Sequence, residues 1–154
     1  MNWDLLDILV FSTMIAVVAT IVVVARRARS ATYRIAVTVA ALGAFFLVWI
    51  NGAVGIIGNE DNEANLLFFG VLAVAAFGSA IARFRARGMA IALYATTAAQ
   101  VLVAAYAVTM QLGASGPIWP RDILMLTALF SAIWLMSGWL FNRAAAKERR
   151  LFSD

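Results

Sequence analysis

Five long apolar runs, near residues 5–25, 35–57, 66–82, 89–112 and 123–142, take up most of this chain. Each falls within the roughly 17–25 residues with which an α-helix crosses a hydrocarbon core of ~30 Å. Within lipid a spanning segment must pair its own backbone polar groups, so each run predicts a helix. Composition agrees: 13% of the 154 residues are charged and 64% are hydrophobic, against ~25% charged in a soluble domain. One small core cannot hide so much apolar surface, so lipid must replace water around it. The expected fold is all-α, a single integral membrane bundle of five transmembrane helices.

The charges at the junctions orient the bundle. One side receives Arg26, Arg27, Arg29 and Arg34, then Arg83, Arg85 and Arg87, then Arg143, Lys147, Arg149 and Arg150. The other side holds Asp4, Asp7, Glu60, Asp61, Glu63 and Asp122, with Arg121 as its sole base. The positive-inside rule then predicts the N-terminus outside and the C-terminus inside. Met1-Asn2-Trp3-Asp4 lacks a positive n-region, and the run after it is too long for a signal-peptide core. The first run therefore reads as a span and not as a cleavable signal. Trp3, Tyr33 and Trp119 fall at expected interfaces, as belt residues do, while Trp49, Trp134 and Trp139 lie deeper and read as packing or lipid-facing groups. Arginine far outnumbers lysine and alanine is abundant. That usage suits a bacterium with a GC-rich genome, and the expected location is a bacterial inner membrane, multi-pass, with the acidic loops in the periplasm.

Absent residue types narrow the chemistry. The chain has no cysteine and no histidine. That removes thiolate catalysis, disulfides, cysteine zinc sites and histidine-held haem or copper, and no cofactor is expected. No Asp, Glu, Lys or Arg lies deep in a span, where coupled transporters keep one. Lys147, the single lysine, lies across the expected membrane from the acids, so no nucleophile–base pair is visible and an enzyme is not expected. The pI near 10.3 comes from bases at helix ends. No basic aromatic platform stands outside the spans, so nucleic acid is not an expected partner; membrane lipid is.

The run Asn51-Gly52-Ala53-Val54-Gly55-Ile56-Ile57-Gly58, followed by Glu60-Asp61-Asn62, is the most distinctive in the chain. With Trp49 before it and Ala82-Arg83-Phe84 and Arg87-Gly88-Met89 after it, it resembles a functionally uncharacterised family of small multi-span bacterial inner-membrane proteins. The likeness covers spans two to four best, with a fainter echo at Trp134 and Leu140-Phe141. It implies a multi-pass membrane protein and brings no activity with it.

Within that run two features invite a site. Asn59, Glu60, Asp61, Asn62, Glu63 and Asn65 crowd many oxygens into seven positions. Glu60, Asp61 and Glu63 are candidate ligands for a divalent cation. Their spacing departs from the twelve-residue calcium loop. The simpler reading is a solvated turn in which Asn62 or Asn65 caps the third span. Upstream, Ala40, Ala44, Asn51, Gly55 and Gly58 fall near one helical stripe of small residues, which predicts close helix packing, with the Asn51 amide bonded across to a neighbour or to backbone.

Thr96 and Gln100 in the fourth span, with Ala104, Ala107 and Gln111 nearby and Thr127, Ser131, Gly138 and Asn142 in the fifth, offer a narrow polar path or ordinary interhelical contacts. At the acidic side Arg121 is expected to neutralise one carboxylate among Asp4, Asp7, Glu60, Asp61 and Glu63, with Asp7 the deepest. The functional expectation is a non-catalytic accessory or scaffold element that packs against itself or a larger membrane complex. Two alternatives remain: a small uncoupled channel or transporter through Asn51, Thr96 and Gln100, and a periplasmic cation binder at Glu60, Asp61 and Glu63.

Overall fold

A computed structural model describes residues 30–151 together with Ile8, Ser12, Met14, Ile15, Ala16, Ala19, Thr20 and Val23. The described residues are helical with connecting turns and contain no strand. Four helices follow in order: α1 (Ala31–Ala53), α2 (Leu67–Ile81) entered through a 3-10 turn (Glu63–Leu66), α3 (Ala86–Thr109) and α4 (Arg121–Leu151). These four are long and apolar enough to cross a membrane, counting the 3-10 turn with α2. The expectation was five; the first expected span, residues 5–25, falls largely outside the described residues. The described residues thus form an all-helical bundle with the apolar helix lengths of a membrane-embedded protein.

Helix ends depart from the apolar runs for local reasons. α1 stops at Ala53, four residues short of the expected end, because Gly55 turns left-handed at φ +74°. The amides of Val54 and Gly55 then both return to the Ile50 carbonyl. α2 ends where Arg83 and Phe84 both take positive φ, and the amides of Ala82, Arg83 and Phe84 fold back on Gly78, Ala80 and Ser79. Such back-bonding satisfies the orphan carbonyls of a helix end. α4 runs well past Asn142 to Leu151. Its 31 residues make about 46 Å of helix at 1.5 Å per residue, more than a ~30 Å core requires. Ala144 and Ala145 carry it on, both buried, with Lys147, Glu148, Arg149 and Arg150 exposed beyond them.

α4 is the centre of the bundle, packed between α3 and α1, while α2 lies on the far side of α3. The neighbours run antiparallel. Tyr33 meets Phe141 edge-on at 5.1 Å, Ser137 Oγ donates to the Ala36 carbonyl at 2.7 Å, and Gly43 sits under Ile133 and Trp134. Residue numbers rise along α1 as they fall along α4. Gly43 has no room to grow: a Cβ there would come within 2.6 Å of Ile133 Cγ2 and 3.1 Å of Trp134 Cζ3. This is the close helix approach that small residues allow in membranes. Trp134, Phe130, Phe141, Leu47, Phe68 and Leu93 fill the core. Phe77, Ile81, Leu102, Tyr106 and Met125 stand exposed on the outside, the inverse of a soluble bundle and what lipid contact favours.

The folding separates charge by end. The turns at residues 54–62 and 110–120 meet at one end, bringing Glu60, Asp61, Glu63, Arg121 and Asp122 there. The Tyr33 hydroxyl donates to the Phe84 carbonyl at the opposite end, where Arg34, Arg83, Arg85 and Arg87 are exposed.

Candidate functional site

The distinctive run from Asn51 to Asn65 folds as a locked turn capping the acidic end. Its keystone is Asn65, 5% exposed. Asn65 Oδ1 accepts from the amides of Ile56 at 2.9 Å and Ile57 at 2.8 Å. Asn65 Nδ2 donates to the Asn59 carbonyl at 2.6 Å, and the Asn65 carbonyl accepts from Asn51 Nδ2 at 3.0 Å. Two amides just past a helix end would otherwise be buried without partners, a state that folded chains avoid. Ile56 and Ile57 can then bury completely against the bundle.

Asn62 does the capping that the sequence suggested: its Oδ1 accepts from the Ala64 amide at 3.0 Å at the start of the 3-10 turn. Asn65 does not cap; it ties the turn shut. Asn51 bonds across to backbone, as a buried amide in this setting must, although its Oδ1 has no partner among the described residues. Gly55 and Gly58 lie beyond α1, at φ +74° and +78°, so they bend the chain instead of continuing the helical stripe with Ala40 and Ala44. Gly58 also receives Gly113 of the neighbouring turn; a Cβ on Gly113 would meet the Gly58 nitrogen at 2.7 Å. Two backbones touch there without side chains between them. The sequence marks such contacts only by its glycines, and nothing in it pairs residue 58 with residue 113.

Glu60, Asp61 and Glu63 all point outward and are exposed. Among the described residues no three Asp, Glu, His or Cys side chains gather as a metal site would need. Arg121 is exposed and pairs with none of Glu60, Asp61 or Glu63; Asp4 and Asp7 lie outside the described residues. Asp122 Oδ1 accepts from the Ile123 amide at 2.8 Å and places a carboxylate in the first turn of α4, where the helix dipole favours it.

The polar groups along α3 and α4 divide into two kinds. Thr96, fully buried, donates to its own helix at Ala92 over 2.8 Å, and Thr97 does the same at Leu93. Asn142 Nδ2 donates to the Tyr94 hydroxyl at 3.2 Å, joining α4 to α3. Gln100 is different. It is 0% exposed, and neither its Oε1 nor its Nε2 finds a partner among the described residues. Thr127, Ser131 and Trp134 of α4 also keep unpartnered buried polar atoms. With Tyr94 set against Gly138 and Asn142, the register brings Gln100 level with residues 132–136. Asn51, by the register of α1 on α4, lies level with residues 123–127. The two are about two helical turns apart along the axis at 1.5 Å per residue, so Asn51 and Gln100 do not share one polar cluster.

Of the deeper tryptophans, Trp134 is core, whereas Trp49 and Trp139 are exposed. Trp49 stacks on Phe45, and Arg143 lies 4.0 Å over the Trp139 ring, a cation–π contact at the basic end. Comparison with family models, curated proteins and solved structures returns no match for this chain, so the resemblance carried by residues 49–65 gains no support from that quarter.

Proposed function

We propose that this chain is a non-catalytic, five-span protein of a bacterial inner membrane, N-terminus out and C-terminus in, that serves as a packing element for itself or a larger membrane complex. The observation that most supports this reading is the use made of the densest polar motif. Asn51, Asn62 and Asn65 spend their amides on the chain's own backbone, which makes a rigid cap instead of a reactive or ligand-facing group. The featured surfaces left over are apolar side chains on the bundle exterior and the basic extension of α4. Mild extraction followed by native mass spectrometry tests this reading. A homo-oligomer or a constant companion is the expected result, and a solitary monomer would overturn it.

One observation favours a second reading, a small uncoupled channel or transporter: the unpartnered Gln100 on α3 and, spread along α4, the unpartnered hydroxyls of Thr127 and Ser131. Buried polar atoms without partners cost ~1–3 kcal/mol each, and ordered water along a path would relieve that. Gln100→Leu separates the two readings. For a packing element the variant melts at the same or a higher temperature and nothing else changes. For a channel, ion or solute flux into proteoliposomes falls to the protein-free level.

A further inference from the structure

The geometry points to a site on the outer face of the α3–α4 seam for the phosphate of an anionic phospholipid, built by Arg143, Asn142 and Tyr94 around Trp139. Gly138 lets the Tyr94 ring lie against α4: a Cβ there would stand 2.8 Å from Tyr94 Cε1 and 3.1 Å from Cδ1. The Tyr94 hydroxyl then reaches Asn142, whose Nδ2 donates to it at 3.2 Å. Beside this pair Arg143 folds back over Trp139, 4.0 Å from the ring centroid. Residues 138, 139, 142 and 143 are neighbours at three- and four-residue spacing, so their side chains form one strip on the helix surface. The strip is open. Trp139 is 47% exposed and Tyr94 37%, and Asn142 and Arg143 are exposed as well.

Hydrogen-bond donors choose the occupant. The Trp139 ring takes the face of the Arg143 guanidinium and leaves its N–H edge free, so the side chain is held in place with its donors unspent. The Tyr94 hydroxyl has accepted from Asn142 and keeps its own proton to give, and Asn142 keeps a second N–H. Lys147 adds positive charge one turn beyond Arg143. Glu148 is five residues from Arg143, about 140° round the helix, and leaves the strip without a carboxylate. A ligand that only accepts hydrogen bonds and carries negative charge fits these groups, as a phosphodiester does. On the membrane side of Trp139 the exposed face continues as Leu135 and Met136, an apolar bed for acyl chains. A soluble phosphate would leave that bed unused.

The full-length protein in detergent is tested by native mass spectrometry with phosphatidylglycerol and phosphatidylcholine of identical chains. One phosphatidylglycerol per chain should be retained, about tenfold in preference to phosphatidylcholine, whose choline cation would face Arg143 and Lys147. Arg143→Gln should weaken retention about tenfold, and Tyr94→Phe, which keeps the ring on Gly138, about threefold. Arg83→Gln removes another exposed arginine, in the turn between α2 and α3, and should change nothing. A photoreactive group on the phosphatidylglycerol headgroup guards against a variant that folds poorly. In the unaltered protein it should mark the peptides that carry Tyr94 and residues 139–147. Equal losses from Arg83→Gln and Arg143→Gln would reduce the site to general attraction by a basic surface and overturn the proposal. Equal retention of the two lipids, displacement of the lipid by equimolar glycerol phosphate, or adducts concentrated at residues 83–87 would overturn it too.

Discussion

Asn65→Ala should destabilise the protein by about 2–5 kcal/mol, because it strands two buried amides at ~1–3 kcal/mol each. The amides are those of Ile56 and Ile57, which share Asn65 Oδ1. The Asn59 carbonyl also loses one of its two donors, at smaller cost since the Asn62 amide still reaches it and Asn59 is exposed. Asn65→Asp keeps both acceptor bonds but turns an oxygen toward the Asn59 carbonyl, so it should fall between alanine and the native residue. Asn51→Leu should cost less than about 1 kcal/mol: it gives up one hydrogen bond, and it removes the unpartnered Oδ1 of Asn51 as well. Equilibrium unfolding in mixed micelles ranks the three, and hydrogen exchange at Ile56 and Ile57 reads the same loss locally. If Asn51→Leu proves the more damaging of the two truncations, the keystone has been misassigned.

The second large effect is expected at Gly55. Its φ of +74° already disfavours any other residue, and a Cβ would stand 2.3 Å from the carbonyl carbon and oxygen of Asn59 and 2.7 Å from the Glu60 nitrogen. Every clashing atom is backbone, so no rotamer change relieves it. Gly55→Ala must therefore rebuild the turn and release Asn65, at a cost of about 3 kcal/mol or more. Gly70 supplies the contrast. It lies in α2 with nothing within 4 Å of a built Cβ, so Gly70→Ala should be neutral or stabilise by about 0.5–1 kcal/mol through helix propensity. Opposite signs at two glycines of one chain, measured by the same melts, would separate the turn geometry from general loss of packing. Equal, small effects would mean that the turn adapts.

These two residues also show how far the sequence can be read. Helix bodies were legible because apolar runs of membrane length have few other options. Ends were less so, since lipid preference cannot see a left-handed glycine: the second apolar run reaches Ile57, but the helix breaks at Ala53 and the two isoleucines bury themselves in the turn instead. The tail of α4 was missed for the opposite reason. Hydropathy falls at Asn142 and Arg143, but Ala144, Ala145 and Ala146 continue the helix beyond the apolar run. The need of Asn51 for a partner followed from burial alone. Its partner, fourteen residues away, depended on a turn whose path no periodicity encodes. Gln100 and Thr96 looked alike as neighbours on one helix; only the packing shows that Thr96 satisfies itself on Ala92 while Gln100 does not. Most of residues 5–25 lie outside the described residues, Asp7 among them, and with Asp7 its expected pairing with Arg121.

The proposed function rests on a bundle that crosses a bilayer with its acidic cap outside and its arginines within. The chain has no cysteine of its own, so single cysteines report position without background. In spheroplasts, a membrane-impermeant maleimide should label Asn2→Cys, Glu60→Cys and Ala114→Cys at once, and Arg85→Cys and Lys147→Cys only after permeabilisation. Labelling of residue 60 or 114 from the same side as residue 85 or 147 would contradict the account, and labelling of residue 2 from the inner side would remove the fifth crossing.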